Sequence, residues 1–132
     1  MHLILCVDDR DGIHFAGKRL SSDSVLSEFL LQYTQGSKLW MNHYSAKLFV
    51  DAEIVADEDF FLKAKTGEYC FLENTPIPED SQFESITLCL WNRKYPSTEK
   101  FDREMLKAMH LETRFDFPGN SHEKLTIERY IP

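Results

Sequence analysis

The feature that most constrains this chain is a change of rhythm near residue 92. Before it, short apolar runs alternate with segments of helical spacing. The runs are residues 3–7 (LILCV), 38–41 (KLWM), 53–56 (EIVA), 69–72 (YCFL) and 85–91 (SITLCLW). Continuous apolar runs of this length read as strands buried on both faces. Between the first two, Ser21, Ser22 and Asp23 offer N-cap chemistry. Val25, Leu26, Phe29, Leu30 and Tyr33 then recur at helical spacing before a stop at Gly36. Residues 43–50 (HYSAKLFV) suit a short helix. A second helix is expected over 58–65, where Asp57, Glu58 and Asp59 favour its positive end. Residues 13–20 read as loop with a short extended piece, and 74–82, with Pro76 and Pro78, as loop.

After residue 92 the pattern differs. Residues 99–109 suit a short helix. Residues 110–117 (HLETRFDF) alternate, with Leu111, Thr113, Phe115 and Phe117 expected on one face. A tight turn at Pro118, Gly119 and Asn120 follows, and residues 124–131 alternate again. Two such strands form an antiparallel hairpin. The expected fold is α/β: a mixed, mostly parallel sheet flanked by helices, with a C-terminal antiparallel hairpin. A chain of 132 residues suits one domain spanning 1–132.

Composition narrows the function classes. The net charge of -7 argues against duplex nucleic acid as a partner. No run approaches a membrane span or a signal-peptide core, so neither a membrane partner nor export is expected. Cys6, Cys70 and Cys89 each lie in an apolar run with no CxxC spacing, which reads as three buried, reduced thiols in a cytoplasmic protein. The basic stretch Arg93, Lys94, Lys100, Arg103 and Lys107 is interleaved with Glu99, Asp102 and Glu104 and reads as a solvated surface. No phosphate-binding glycine loop is present. His2, His14, His43, His110 and His122 form no HxH, HExxH or Cys/His zinc spacing, so no metal site is expected.

Two acid positions carry a possible chemistry. Asp9 and Asp11, behind the first strand, resemble the DxDG opening of haloacid-dehalogenase-type phosphatases. There Asp9 would be a nucleophile and Asp11 an acid/base with Mg²⁺. The hydroxyl of that family's second motif is missing at Met41 and Asn42, and no closing acid pair follows. Asp8 with Asp9 also resembles the acid pair of receiver domains, but residues 10–20 do not supply the helix which that fold needs at once. A solvated turn is the simpler reading of these acids. Asp23 can accept two hydrogen bonds from an amidine-like edge, or can simply cap the first helix.

Laid end to end, the pieces resemble the dihydrofolate reductase family across nearly the whole chain. LILCVDDRDGI resembles its first strand and the turn into its mobile loop. Leu20, Ser21, Ser22 and Asp23 resemble its Leu-Pro-x-Asp helix start, with Asp23 on the acidic pterin-binding position. SKLWMNHYS, EYCFLEN, SITLCLWNRKYPSTEKFD and HLETRFDFPGNSHEKLTIERYI resemble its later strands in order. The resemblance implies a pterin-side pocket lined by Val7, Asp23, Leu72 and Cys89. It also implies that the dinucleotide site is lost. Glu73 and Asn74 replace Gly-Gly, and Asn42, His43, Tyr44 and Ser45 replace Gly-Arg/Lys-x-Thr. Lys18 or Arg19 replaces the loop tryptophan, and one strand is deleted. Glu73 is expected to place a like charge where cofactor phosphates would lie. The chain also resembles small proteins of gut-type Firmicutes, some labelled ribonuclease Z. The HxHxDH motif of that enzyme is absent here.

These readings imply a degenerate enzyme. They point to a bacterial dihydrofolate reductase-like protein without reductase activity, acting as a small-ligand-binding or interaction protein with no cofactor. An Mg²⁺-dependent phosphatase using Asp9 and Asp11, or a hydrolase or nuclease, is the alternative.

Overall fold

A computed structural model describes all 132 residues. The elements in chain order are β1 (His2–Val7), β2 (Gly12–Phe15), β3 (Lys18–Arg19), α1 (Ser24–Tyr33), β4 (Leu39–Met41), α2 (His43–Ala46), β5 (Val55–Ala56), α3 (Phe60–Lys63), β6 (Tyr69–Leu72), β7 (Ile86–Leu90), β8 (Glu99–Lys100), a 3₁₀ turn (Arg103–Leu106), β9 (His110–Phe117) and β10 (Leu125–Ile131). The main sheet runs β5-β4-β6-β1-β7-β10-β9. Pairs from β5 to β7 are parallel, and β10 pairs antiparallel with β7 and β9. This is the mixed sheet that the change of rhythm implies. No helix is long and apolar enough to cross a membrane.

The sheet's pleat sorts the core into two layers. Ile4, Phe71, Cys89 and Ile127 face α1, where Leu26 and Leu30 meet them. Leu3, Leu5, Val7, Leu72 and Leu88 face the opposite side, against Ile13, Phe83 and Phe101. The period of two assigns each strand residue to one layer. In the parallel register of β1 and β7, Cys6 stands opposite Cys89. All three cysteines are free thiols; Cys70 and Cys89 are buried and Cys6 is half-buried.

Four regions depart from the sequence reading. Residues 12–19 form a hairpin, β2 with β3, and β8 joins it to make a second, three-stranded sheet. Residues 99–109, expected as a helix, instead supply β8 and the 3₁₀ turn. A bulge shifts the β9–β10 register, so Thr113 opposes Arg129 but Leu111 opposes Tyr130. Leu111 therefore leaves the face that Thr113, Phe115 and Phe117 share. The link between β9 and β10 is also longer than a tight turn: residues 118–124 fold back over the start of α1.

Candidate functional site

The residues singled out in the sequence fall into three constellations. The first is built on Asp23. Its backbone is extended, and its side chain caps α1 by accepting from the Val25 amide at 2.9 Å. The same carboxylate accepts from the Asn120 amide at 2.9 and 3.0 Å, the Ser121 amide at 2.9 Å and the Ser121 hydroxyl at 3.2 Å. His122 Nδ1 donates to its Oδ2 at 2.9 Å. The Asp23 and His122 side chains are 0% and 1% exposed. Burial raises the Asp23 pKa, but the Asn120 amide, the His122 ring and the Ser121 and Val25 amides outweigh it. They hold the carboxyl well below the usual range.

Beyond Asp23, the His122 ring stacks on Trp91 at 4.8 Å. Its Nε2 lies 3.0 Å from the Tyr95 hydroxyl and 3.2 Å from the Ser21 hydroxyl. Acid, imidazole and hydroxyl in this order are the parts of an activated nucleophile. Here Tyr95 is closer to the ring than Ser21. The two cavities that touch Ser21 measure about 10 Å³ each, too little for a substrate. The arrangement clamps the 118–124 loop to the start of α1. Gly119 is required in this clamp: a Cβ there would lie 2.6 Å from Asp23 Oδ2 and 3.0 Å from the His122 carbonyl.

The expected pocket beside Asp23 is filled. Cys6, Leu26, Leu30, Phe49, Phe71 and Trp91 line what is left of it. Cys89 packs in this layer. Val7 and Leu72 do not, because the pleat puts them in the opposite layer. From β1 the residue on the Asp23 side is Cys6, and from the β6 strand it is Phe71.

The second constellation gathers the positions expected to be a damaged cofactor site. Glu73 is buried, and Arg19 grips it with two hydrogen bonds, Nε and Nη2 each at 2.9 Å. The Ser45 hydroxyl donates to Glu73 at 2.8 Å. The Arg19 guanidinium lies over the Tyr44 ring at 4.2 Å and donates to the Tyr44 carbonyl. Hydrogen bonding to Glu73 raises the Arg19 pKa against the opposing effect of burial. The expected uncompensated charge at Glu73 is thus corrected: Arg19 neutralises it. Asn42 accepts from the Ser45 amide and donates to Asn74, which donates to the Gly17 carbonyl. Asn42, Ser45, Glu73 and Asn74 so become one network tying the β2–β3 hairpin to the sheet. His43 is apart from it, turned outward to Glu58 at 2.7 Å.

The third constellation is the acid turn. Asp8 is the buried member, accepting from the Gly12 amide at 2.7 Å and the Arg10 and Tyr95 amides at 2.9 Å. Burial raises its pKa, and the Tyr95, Gly12 and Arg10 amides bring it below the ordinary value. Asp11 sits at φ 63 with its carboxylate held by Arg103 at 2.8 and 2.9 Å. Asp9 is exposed. No group of three His, Cys, Asp or Glu side chains is placed to hold a metal ion.

No family model and no curated protein matches the chain. Solved structures do. Dihydrofolate reductase from Enterococcus faecalis, complexed with NADP(H) and RAB-propyl, superposes with a TM-score of 0.64. The match covers 98% of this chain and 94% of that one at 10% identity. The chain has the dihydrofolate reductase fold. At this identity the likeness extends to architecture alone. Within the dihydrofolate reductase fold, the Asp23 clamp lies between the start of α1 and the closing hairpin, and the Glu73 network lies where β6 ends.

His122 and Arg19 are the two residues that sequence reasoning passed over as partners. His122 carried no signal of its own, being a lone histidine without metal spacing. Arg19 carried one, because a buried acid at position 73 needs a cation and its position in the loop was already in question.

Proposed function

We propose that this chain is a dihydrofolate reductase-fold protein that does not reduce folates and works as a binding or interaction protein. The observation that carries this reading is the Asp23 clamp. A carboxylate able to orient a pterin needs free lone pairs and an open cavity, and here both are taken by the chain itself. The residues toward a dinucleotide do not fit one either. Glu73, Arg19 and Ser45 are bonded to one another, and the acidic Glu73 stands in place of a glycine that lets backbone approach a pyrophosphate. Every buried side-chain nitrogen and oxygen has a partner, so no polar group is left waiting for a ligand in these layers.

A concave surface suited to a ligand lies elsewhere. A groove of about 600 Å³ opens between residues 74–81 and 99–105, beside Leu72 at the carboxyl end of β6. Open α/β sheets bind ligands at this end. Its floor is apolar, with Ile13, Leu72, Phe101 and Met105. Its rim carries Glu79, Asp80, Glu99 and Asp102 against Lys100. This chemistry favours a small molecule with an apolar body and a cationic group.

Calorimetric titration with NADPH and dihydrofolate tests the central claim, with NADPH absorbance followed in the mixture. No binding at micromolar concentrations and no oxidation are expected. Micromolar affinity for either compound, or turnover, would overturn the reading. The phosphatase and nuclease alternatives have no favouring observation: Asp11 is engaged by Arg103, and no metal-holding group exists around Asp9.

A further inference from the structure

The two edges of the main sheet are finished differently. At one end β5 contributes two residues. At the other, β9 runs for eight residues, seven of them exposed, and pairs only with β10. Long exposed edges are usually blunted by charged side chains, lysine above all, by proline or by bulges. The two charges on this edge, Arg114 and Asp116, are of opposite sign and so can pair across a two-fold axis. Here the bulge lies near residue 112, and residues 113–117 (TRFDF) carry neither proline nor lysine. Phe115, on this stretch, is 41% exposed.

We infer that residues 113–117 pair antiparallel with the same residues of a second copy, about a two-fold axis at Phe115. The register follows from faces and charges. An axis normal to the sheet keeps each face on its own side, so only residues of like face can be opposed. Thr113, Phe115 and Phe117 share the α1 face, where Phe115 and Phe117 meet Phe29 at 5.7 and 5.1 Å. Arg114 and Asp116 share the other face, bonded to Glu128 and Thr126 of β10. With the axis at Phe115, Arg114 of each copy opposes Asp116 of the other, and Phe115 meets its own counterpart. Moving the axis to residue 114 opposes two arginines, and moving it to residue 116 opposes two aspartates. An axis at Thr113 would need residues 110–112 to continue the alternation, and the bulge interrupts it there. An axis at Phe117 would need residues 118–121, which have left the strand to bond Asp23. Like charges directly opposed destabilise a strand pair, so one register is left.

Paired this way, the charged face carries a row across the junction: Glu128, Arg114, Asp116 of the second copy and Thr126 of the second copy. The apolar face joins two Phe29, Phe115 and Phe117 clusters. The result is a continuous fourteen-stranded sheet, the seven strands of each copy joined at β9.

Sedimentation equilibrium of the whole chain tests this, against a mass of 15.5 kDa for one copy. A species of twice that mass is expected at micromolar concentrations. Arg114→Asp gives an all-acidic edge and Asp116→Arg an all-basic one, and each alone should weaken self-association about tenfold or more. Mixed one to one, the two variants should recover the pair as a heterodimer, because both opposed 114–116 pairs then join unlike charges. Phe115→Lys, which sets like charges on the axis, should also give single copies. Circular dichroism reports whether each variant is folded; Phe115→Lys leaves the Arg114 and Asp116 bonds to β10 in place. A wild-type chain that stays at 15.5 kDa, a dimer that all three variants leave unchanged, or folded variants that fail to recover on mixing would each overturn the inference.

Discussion

Asp23 and Glu73 are both buried acids at the ends of secondary elements, and the chain satisfies them by opposite means. Asp23 is held chiefly by backbone amides and one histidine, nearly all from the single loop 118–124. Glu73 is held by side chains alone, from β3 and α2. Backbone donors are fixed by the course of the chain, so the first acid is inseparable from the loop's conformation. Side-chain donors can be removed singly, so the second behaves as an ion pair that joins two otherwise separate pieces.

The comparison can be broken most severely at Asp23. Asp23→Asn leaves buried amides and His122 facing a group that cannot accept them all, and a loss of about 3–5 kcal/mol is expected in urea unfolding. The pH dependence has a fixed sign. The folded pKa of Asp23 lies below its unfolded value, so its contribution is complete above that unfolded value, about 4, and is lost as pH falls through the folded pKa. The wild type should weaken steeply in acid, and Asp23→Asn should flatten that slope. Next in size is Gly119→Ala, whose methyl enters the clamp at 2.6 Å from Asp23. A cost of about 1–3 kcal/mol is expected, with faster amide exchange at Asn120 and Ser121.

At Glu73 the expected effects are smaller. Arg19→Met keeps the Ser45 bond and removes a guanidinium that is 23% exposed, so about 1–2 kcal/mol is expected in the same unfolding assay. Adding Glu73→Gln to it should recover part of that loss, because no buried charge then lacks a partner. A loss in the double variant as large as the sum of the singles would show that the two residues act independently. At the lower limit, His43→Ala should leave the melting temperature unchanged. His43 and Glu58 are 69% and 65% exposed, and water screens their attraction.

Much of the architecture was legible in period alone. The apolar runs of β1, β6 and β7 and the 3.6 spacing of α1 are long enough for burial to dictate their state. The small sheet was not legible, because β3 and β8 are two residues each and form only where distant segments meet. Glu99 and Lys100 have no pattern of their own; pairing with residues 12–14 makes them a strand. Leu111 was placed on the wrong face because a bulge adds a residue without altering the apparent alternation. At the site, Asp23 was legible as a cap but not as the centre of a clamp, since its donors lie almost a hundred positions away. Val7 and Leu72 were not legible as residues of the far layer, because period alone does not say which residues of different strands share a face. Only the register that sets Cys6 opposite Cys89 sends Val7 there.

The sulfur atoms inside the sheet give the molecule a clock. Cys6 and Cys89 face each other across the two central parallel strands. Hydrogen bonding to Cys89, and then burial, push the Cys6 thiol well above its ordinary pKa, and burial pushes Cys70 to about 12. Thiols held protonated between packed strands are poor nucleophiles. An alkylating reagent reaches the fully buried Cys70 chiefly when β6 parts from its neighbours, so the rate at which Cys70 is modified counts openings of the sheet there.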